Sequence, residues 1–150
     1  FSASLGGTLT GTTASMGVTF SGLARAAFEE ALEYAKQRVQ GGKPIIEHQN
    51  VQLKLFKMFT SMEAARGLAR RVSLYNRFSG RPMLQYSIAA KVLSTETAFN
   101  IASEAIQIFG GYGLSKDYHI EKLFRDAKAA MIEDGVNETL ALGAAQRLAE

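Results

Sequence analysis

An all-α fold, built as a bundle of long helices, is what this 150-residue sequence predicts, and three observations predict it. Apolar residues recur in a four-three alternation over three long segments, clusters of Gly and Pro separate those segments, and no run of useful length alternates with the two-residue period of a strand. Residues spaced by four and three fall on one helix face, so each segment carries a seam of nearly 3.5-residue period. Seams of that kind bury themselves by packing side by side.

The first 19 residues, FSASLGGTLTGTTASMGVT, are rich in Gly, Ser and Thr, and Gly6, Gly7 and Gly11 disfavour a helix before about Ala14. An irregular lead-in over 1–19 is the expectation. From Phe20 a seam runs through Ala24, Ala27, Ala31 and Tyr34 and ends near Gly41-Gly42. After Pro44 a second seam runs through Val51, Leu55, Met58, Met62, Ala65, Ala69 and Val72 to the break at Ser79-Gly80-Arg81-Pro82. A third passes through Ile88, Val92, Thr95, Phe99, Ala102, Ile106 and Phe109 and stops at Gly110-Gly111. Tyr118 to Met131 reads as a shorter helix, Asp134-Gly135 as a break, and Asn137 to Ala149 as a last helix with Asn137 as its N-cap. The Met and Phe residues in the seams read as core, because helical spacing alone accounts for them.

Composition narrows the function. The hydrophobic fraction of 47% and charged fraction of 21% suit one globular domain over 1–150, long enough to bury a core. With no Cys, disulfides, thiolate metal sites and a Cys nucleophile are excluded, and redox chemistry needs a borrowed cofactor. The net charge of +3 is spread among acids rather than gathered on one face, which argues against nucleic acid as a partner. No apolar run reaches the ~18 residues of a membrane span, so a location in the cytoplasm, or in the mitochondrial matrix of a eukaryote, is expected. His48 and His119 lack ligand-spaced partners and read as packing or surface residues, with no metal site. Arg125-Asp126 reads as a source of structural ion pairs. The chain starts at Phe1 rather than a Met, as a piece of a longer protein does.

Three stretches exceed what a generic bundle needs: RVQGGKPIIEHQNVQ from Arg38 to Gln52, QIFGGYG from Gln107 to Gly113, and LFRDAKAAMIEDGVNETL from Leu123 to Leu140. Their order and spacing resemble the C-terminal domain of the acyl-CoA dehydrogenases over about the last 130 residues. The resemblance implies a four-helix up-and-down bundle with short additional helices, preceded in the whole enzyme by a helical domain and a β-domain that do not lie within these 150 residues. It implies FAD as cofactor, an acyl-CoA substrate, electron-transfer flavoprotein or another electron acceptor, and a homodimer or homotetramer. It also implies the reaction: a carboxylate removes the α-proton of the thioester while the β-hydrogen leaves as hydride to the flavin.

The same resemblance distributes the roles. The family's base is commonly a Glu directly before a Gly, and Asp134 stands before Gly135, with Gly135 at the substrate. A carboxylate in a water-poor pocket gains the basicity that proton abstraction needs, although Asp is one methylene shorter than Glu. Glu133 is the nearby substitute, its side chain directed elsewhere; the structural alternative for Asp134 is an Asp-Gly turn. Arg38 and Gln49 fall on the flavin of a neighbouring subunit, where a planar guanidinium suits the pyrophosphate. Gln107, Gly110 and Gly111 approach the adenosine-diphosphate part, although a helix C-cap would also place glycines there. Three departures stand out: Gly41 replaces an aromatic, and Val136 and Glu138 occupy cofactor positions held in many members by Thr and Gln. Counting back from Gly22, Thr10 and Thr13 take the places of an Asp and an Arg that hold the CoA end.

Two other readings compete. Nitroalkane oxidases, similar to these dehydrogenases, use an Asp base, so a nitroalkane oxidase-like or monooxygenase-like flavoenzyme fits Asp134. A non-catalytic helical interaction module fits the departures at Gly41, Val136 and Glu138.

Overall fold

The computed structural model describes residues 2–148, with side chains from Thr8 to Leu148. Five α-helices make up the fold: α1 (Ser2–Gln37), α2 (Gln49–Phe78), α3 (Leu84–Phe109), α4 (Ile120–Ala130) and α5 (Asn137–Gln146). Helix α3 is the axis on which all the others pack. Gly17 of α1 lies against Ala90 and Tyr34 stacks on Phe109, so α1 and α3 run parallel. Lys54 of α2 pairs with Glu104 and Asn76 with Ser87, so α2 runs antiparallel to both. Then α4 returns along α3: Tyr118 meets Phe109, Phe124 meets Phe99, and Gly135 meets Lys91. The up-down-up-down order expected of the sequence is therefore present, with α5 docked on the first half of α3.

Small side chains make the central contact. Ala24, Ala27, Ala31 and Ala35 are fully buried along α1 and face Ala98, Ile101, Ala102 and Ala105 in one core. The α3 seam is broader than the sequence suggests, because a helix packed on four neighbours is buried on more than one stripe. Ser87, Ala90, Lys91, Ser94, Ala98, Ile101 and Ala105 join it, while Val92, Phe99 and Ile106 are only half-buried.

The irregular lead-in expected over residues 1–19 is instead helical from Ser2, and Phe1 lies outside the described residues. Thr10, Thr13 and Ala14 are buried, and a Cβ added at Gly17 would sit 3.0 Å from the Ala90 carbonyl carbon. Hydroxyls here bond back along the helix, Ser15 Oγ to Gly11 O at 3.0 Å and Ser21 Oγ to Val18 O at 2.7 Å. Packing against α2 and α3, seen in the cluster of Ala14, Val72, Ala90 and Leu68, outweighs the weak local propensity.

Two further details depart from the sequence reading. Between α1 and α2 the chain forms a two-stranded hairpin, β1 (Val39–Gln40) and β2 (Lys43–Pro44), paired antiparallel. Gly41 and Gly42 both have positive φ, 62° and 80°, as a two-residue hairpin turn demands. At α5 the N-cap is Val136, without a side-chain cap bond, and Asn137 is the first helical residue with its side chain buried in the core.

Candidate functional site

The predicted cofactor residues divide between two places. The first is an open cleft of about 850 Å³ where the C-terminal ends of α1 and α3 meet the hairpin and the start of α2. Arg38, Gln107, Gly110 and Gly111 line it together, as do Gly41, His48 and Tyr112. Gln49 is exposed at the edge, between His48 and Asn50, which do line the cleft. The floor is aromatic: Tyr34 stacks on Phe109 with ring centres 4.0 Å apart, and Tyr118 meets both edge-on. Tyr34 Oη donates to Phe109 O at 3.3 Å, and burial pushes its phenol above the ordinary range, with the Arg38 charge opposing.

Arg38 carries the only charge on this surface whose partner is a ring. Its guanidinium lies 5.3 Å from the Tyr112 ring centre and makes no ion pair among the described residues, whereas Lys54 is paired with Glu104. The hairpin above is fixed by backbone and side-chain bonds: Ile45 N donates to Arg38 O at 2.8 Å, and the His48 ring nitrogen Nε2 lies 3.0 Å from Gln40 O. His48 is thus part of the cleft wall and not a plain surface residue. Gly41, where the resembled family has an aromatic, is committed to the turn, and a Cβ there would already meet the His48 ring at 3.3 Å.

The three glycines after α3 have three different causes. Gly110 ends the helix with φ 63°, a left-handed position that glycine fills without penalty. Gly113 is demanded by packing, since a Cβ there would come within 2.9 Å of Ile106 Cα and O. Gly111 has neither constraint: its φ is not in the left-handed region and a Cβ would meet nothing within 4 Å. Its backbone is simply bare toward the cleft.

The second place is the turn between α4 and α5. Asp134 is exposed and adopts φ 53°, the one non-glycine residue with positive φ among those described, and Gly135 follows at 101°. Asp tolerates the left-handed region better than most residues. Val136 and Glu138 are exposed beside it, and so is Glu133. Beneath the turn lies a network the sequence reading missed. Lys91 is fully buried and donates from Nζ to Gly135 O and to Asn137 Oδ1, both at 2.8 Å. Asn137 Nδ2 donates to Thr95 Oγ1 at 2.9 Å. Its sequence signal was available: Lys91 lies between Ile88 and Thr95 at seam spacing, where a cation is out of place. From Lys91 to Gln107 α3 rises about 24 Å, at ~1.5 Å per residue, so the cleft and the turn are separate sites within one chain.

The remaining polar residues are structural. Arg125 pairs with Glu121 at 2.8 Å and Asp126 with Lys122, each one helical turn away and not with one another. His119 is at the surface, 3.9 Å from Glu30. No described helix is long and apolar enough to cross a membrane.

Comparison with known proteins places this chain in one family. Residues 3–149 match the family described as acyl-CoA dehydrogenase, C-terminal domain. An acyl-CoA dehydrogenase of Bacillus subtilis (strain 168) is 46% identical over 118 residues, which are 78% of this chain and 31% of that protein. Butyryl-CoA dehydrogenase from Megasphaera elsdenii superposes with a TM-score of 0.91 at 36% identity, over 95% of this chain and 37% of that one. Nitroalkane oxidase in complex with spermine superposes with a TM-score of 0.87 at 29% identity, over 95% of this chain and 34% of that one. The chain spans about a third of the length of each of these relatives.

Proposed function

The chain belongs to the acyl-CoA dehydrogenase family, whose C-terminal domain it matches, and on that premise we propose that the whole protein is an FAD-dependent enzyme that dehydrogenates an acyl-CoA thioester between its α and β carbons. The observation that carries the cofactor assignment is the cleft. It gathers an Arg without a carboxylate, an amide side chain and the bare Gly111 backbone in one concave surface. That donor set fits a dinucleotide's pyrophosphate: the guanidinium offers several N–H groups in one plane, and a glycine without steric cause of its own leaves room for close approach. Arg38 and the Gly110–Gly111 amides would hold the phosphates, Gln107 and Gln49 the adenosine end.

Asp134 acts at the other site as the base. One of its carboxylate oxygens takes the α-proton of the thioester, and the turn fixes where that oxygen stands. Bound FAD supplies the acceptor for the β-hydride. In keeping with the resemblance that sets Arg38 and Gln49 on a neighbouring subunit's flavin, the protein works as a homodimer or larger homo-oligomer. Electron-transfer flavoprotein or another acceptor would be the partner that takes up the electrons.

The full-length protein tests this directly. It is expected to be yellow, with absorbance near ~450 nm from bound flavin, and to bleach when mixed with an acyl-CoA in stopped flow. A colourless protein that does not take up FAD would make the chain a helical interaction module. One observation favours a second reading: position 134 is Asp, as in the nitroalkane oxidases. Bleaching by a nitroalkane and not by any acyl-CoA would establish that alternative.

A further inference from the structure

Neither flavin nor substrate accounts for Lys91. It is 0% exposed, and an ammonium in a protein core costs several kcal/mol unless a charge or a full set of acceptors compensates it. Its near neighbours do not supply a counter-charge: no carboxylate lies within ion-pair distance among the described residues, and its two acceptors, Gly135 O and Asn137 Oδ1, are neutral. The charged groups that face it are Asp134 and Glu133 on the turn and Glu138 on α5. Burial pulls its ammonium below the ordinary Lys range, and those carboxylates act in the opposite direction. A Met would fill the same volume at lower cost, so packing does not explain a cation here.

What the cation holds does explain it. Both acceptors belong to one short segment, residues 135–137, that carries Asp134 on its leading edge. The segment needs holding, because Asp134 and Gly135 have consecutive positive φ values of 53° and 101°, and such backbone persists only where its surroundings over-determine it. One restraint is Asn137 N donating to Met131 O at 3.0 Å. The other is a closed circuit on α3: Lys91 to Asn137, Asn137 to Thr95, and Thr95 Oγ1 back to Lys91 O at 2.9 Å. Every member is at least 98% buried, which shields these bonds from water.

We propose that Lys91 is a positioning residue: its ammonium ties the Asp134–Gly135 turn to α3 and thereby fixes where the Asp134 carboxylate stands, with Asn137 and Thr95 orienting the tie. Its catalytic consequence rests on the reading of Asp134 as the base, whereas the tether itself does not.

The test uses the full-length protein with its flavin and two variants. Lys91→Met removes tether and charge. Thr95→Val, nearly isosteric, keeps the ammonium but frees the Asn137 amide, and it serves if the first variant folds poorly. Hydrogen exchange read by mass spectrometry over residues 135–140 is expected to accelerate about tenfold or more in Lys91→Met and less in Thr95→Val. Substrate-dependent flavin reduction should fall about 10- to 100-fold in Lys91→Met, the scale of an ångström's misplacement. The loss should fall on the limiting rate of flavin reduction, with the acyl-CoA concentration at half that rate within about twofold of the parent's. A merely structural lysine would lower the melting temperature without lowering that limiting rate. Unaltered exchange in both variants overturns the tether, and faster exchange with an unaltered limiting rate overturns the positioning role. If Asp134→Asn reduces its flavin at the parent rate, the base reading is what has failed, and the exchange data still decide on the tether.

Discussion

At the C-terminal end of α3, the cleft presents Arg38 without a carboxylate and Gly111 with an uncovered backbone, whereas nearer its start Lys91, Thr95 and Asn137 answer one another's hydrogen bonds in the interior. The two regions use similar chemistry for opposite ends. Unanswered donors on a concave surface have an energetic reason to recruit an anion from outside the chain. Donors satisfied internally recruit nothing and instead set the geometry of whatever they hold, here the turn that carries Asp134. Polar groups near a site therefore divide by whether the protein itself completes them.

The largest expected effect tests whether the turn does chemistry at all. Asp134→Asn should leave the fold and the flavin in place and lower substrate-dependent flavin reduction by roughly a thousandfold, because an amide cannot accept the proton. Stopped-flow bleaching checks it, and an unaltered rate would transfer the role to Glu133 or to a residue outside this chain. Asp134→Glu sharpens the same point: it restores the family's side-chain length but puts a less tolerant residue at φ 53°. Equal or higher acyl-CoA turnover means the site keeps the family's geometry; a lower one means it is rebuilt around Asp.

On the cleft side, Gly113→Ala should destabilise the protein by about 3 kcal/mol, because its new Cβ meets Ile106 backbone at 2.9 Å. Gly111→Ala, which meets nothing, should leave the melting temperature unaltered and weaken flavin retention. If both glycines lower stability equally, Gly111 is structural and the cleft loses its argument for close ligand approach. Arg38→Ala should weaken FAD binding about 10- to 100-fold, the worth of a charge-assisted hydrogen bond or two. Equilibrium dialysis of the apoprotein with FAD measures it, and an unchanged affinity would remove Arg38 from the site.

The smallest effect has the opposite sign. Ser94 Oγ is buried with no hydrogen-bond partner among the described residues, one position from the satisfied Thr95. Ser94→Ala should raise stability by about 1 kcal/mol by removing an unanswered hydroxyl, while Thr95→Ala should lower it. Thermal melts of the two variants decide whether satisfaction, rather than burial alone, distinguishes neighbours on this helix.

Helices α2 and α3 were legible in the sequence to within a few residues, because long periodic seams between Gly and Pro breaks leave little alternative. The start of α1 was not, since Gly6, Gly7 and Gly11 report local propensity, and the packing of Gly17 on Ala90 joins residues far apart in the chain. Arg38, Gln107, Gly110 and Gly111 were legible through a resemblance, and the structure adds that they share a cleft. Tyr34, Tyr112 and His48 were not, because an aromatic at a seam end or a His in a loop carries no mark of what it will face. Asn137 was read as a cap from its residue type, whereas its position one residue inside α5 turns the same amide toward Lys91.

The parallel course of α1 and α3 bears on how the domain is made. Tyr34 and Phe109, which stack, are 75 residues apart, so their helices cannot meet as a simple hairpin. The α1 alanine face must wait for α2 and the connection to α3, and closing so long a loop is entropically costly and slow compared with joining adjacent helices. On a ribosome adding ~5–20 residues per second, Ala24, Ala27 and Ala31 would stay uncovered for several seconds after they are made. Helix α1 is thus the segment of this domain that a chaperone would meet first and hold longest.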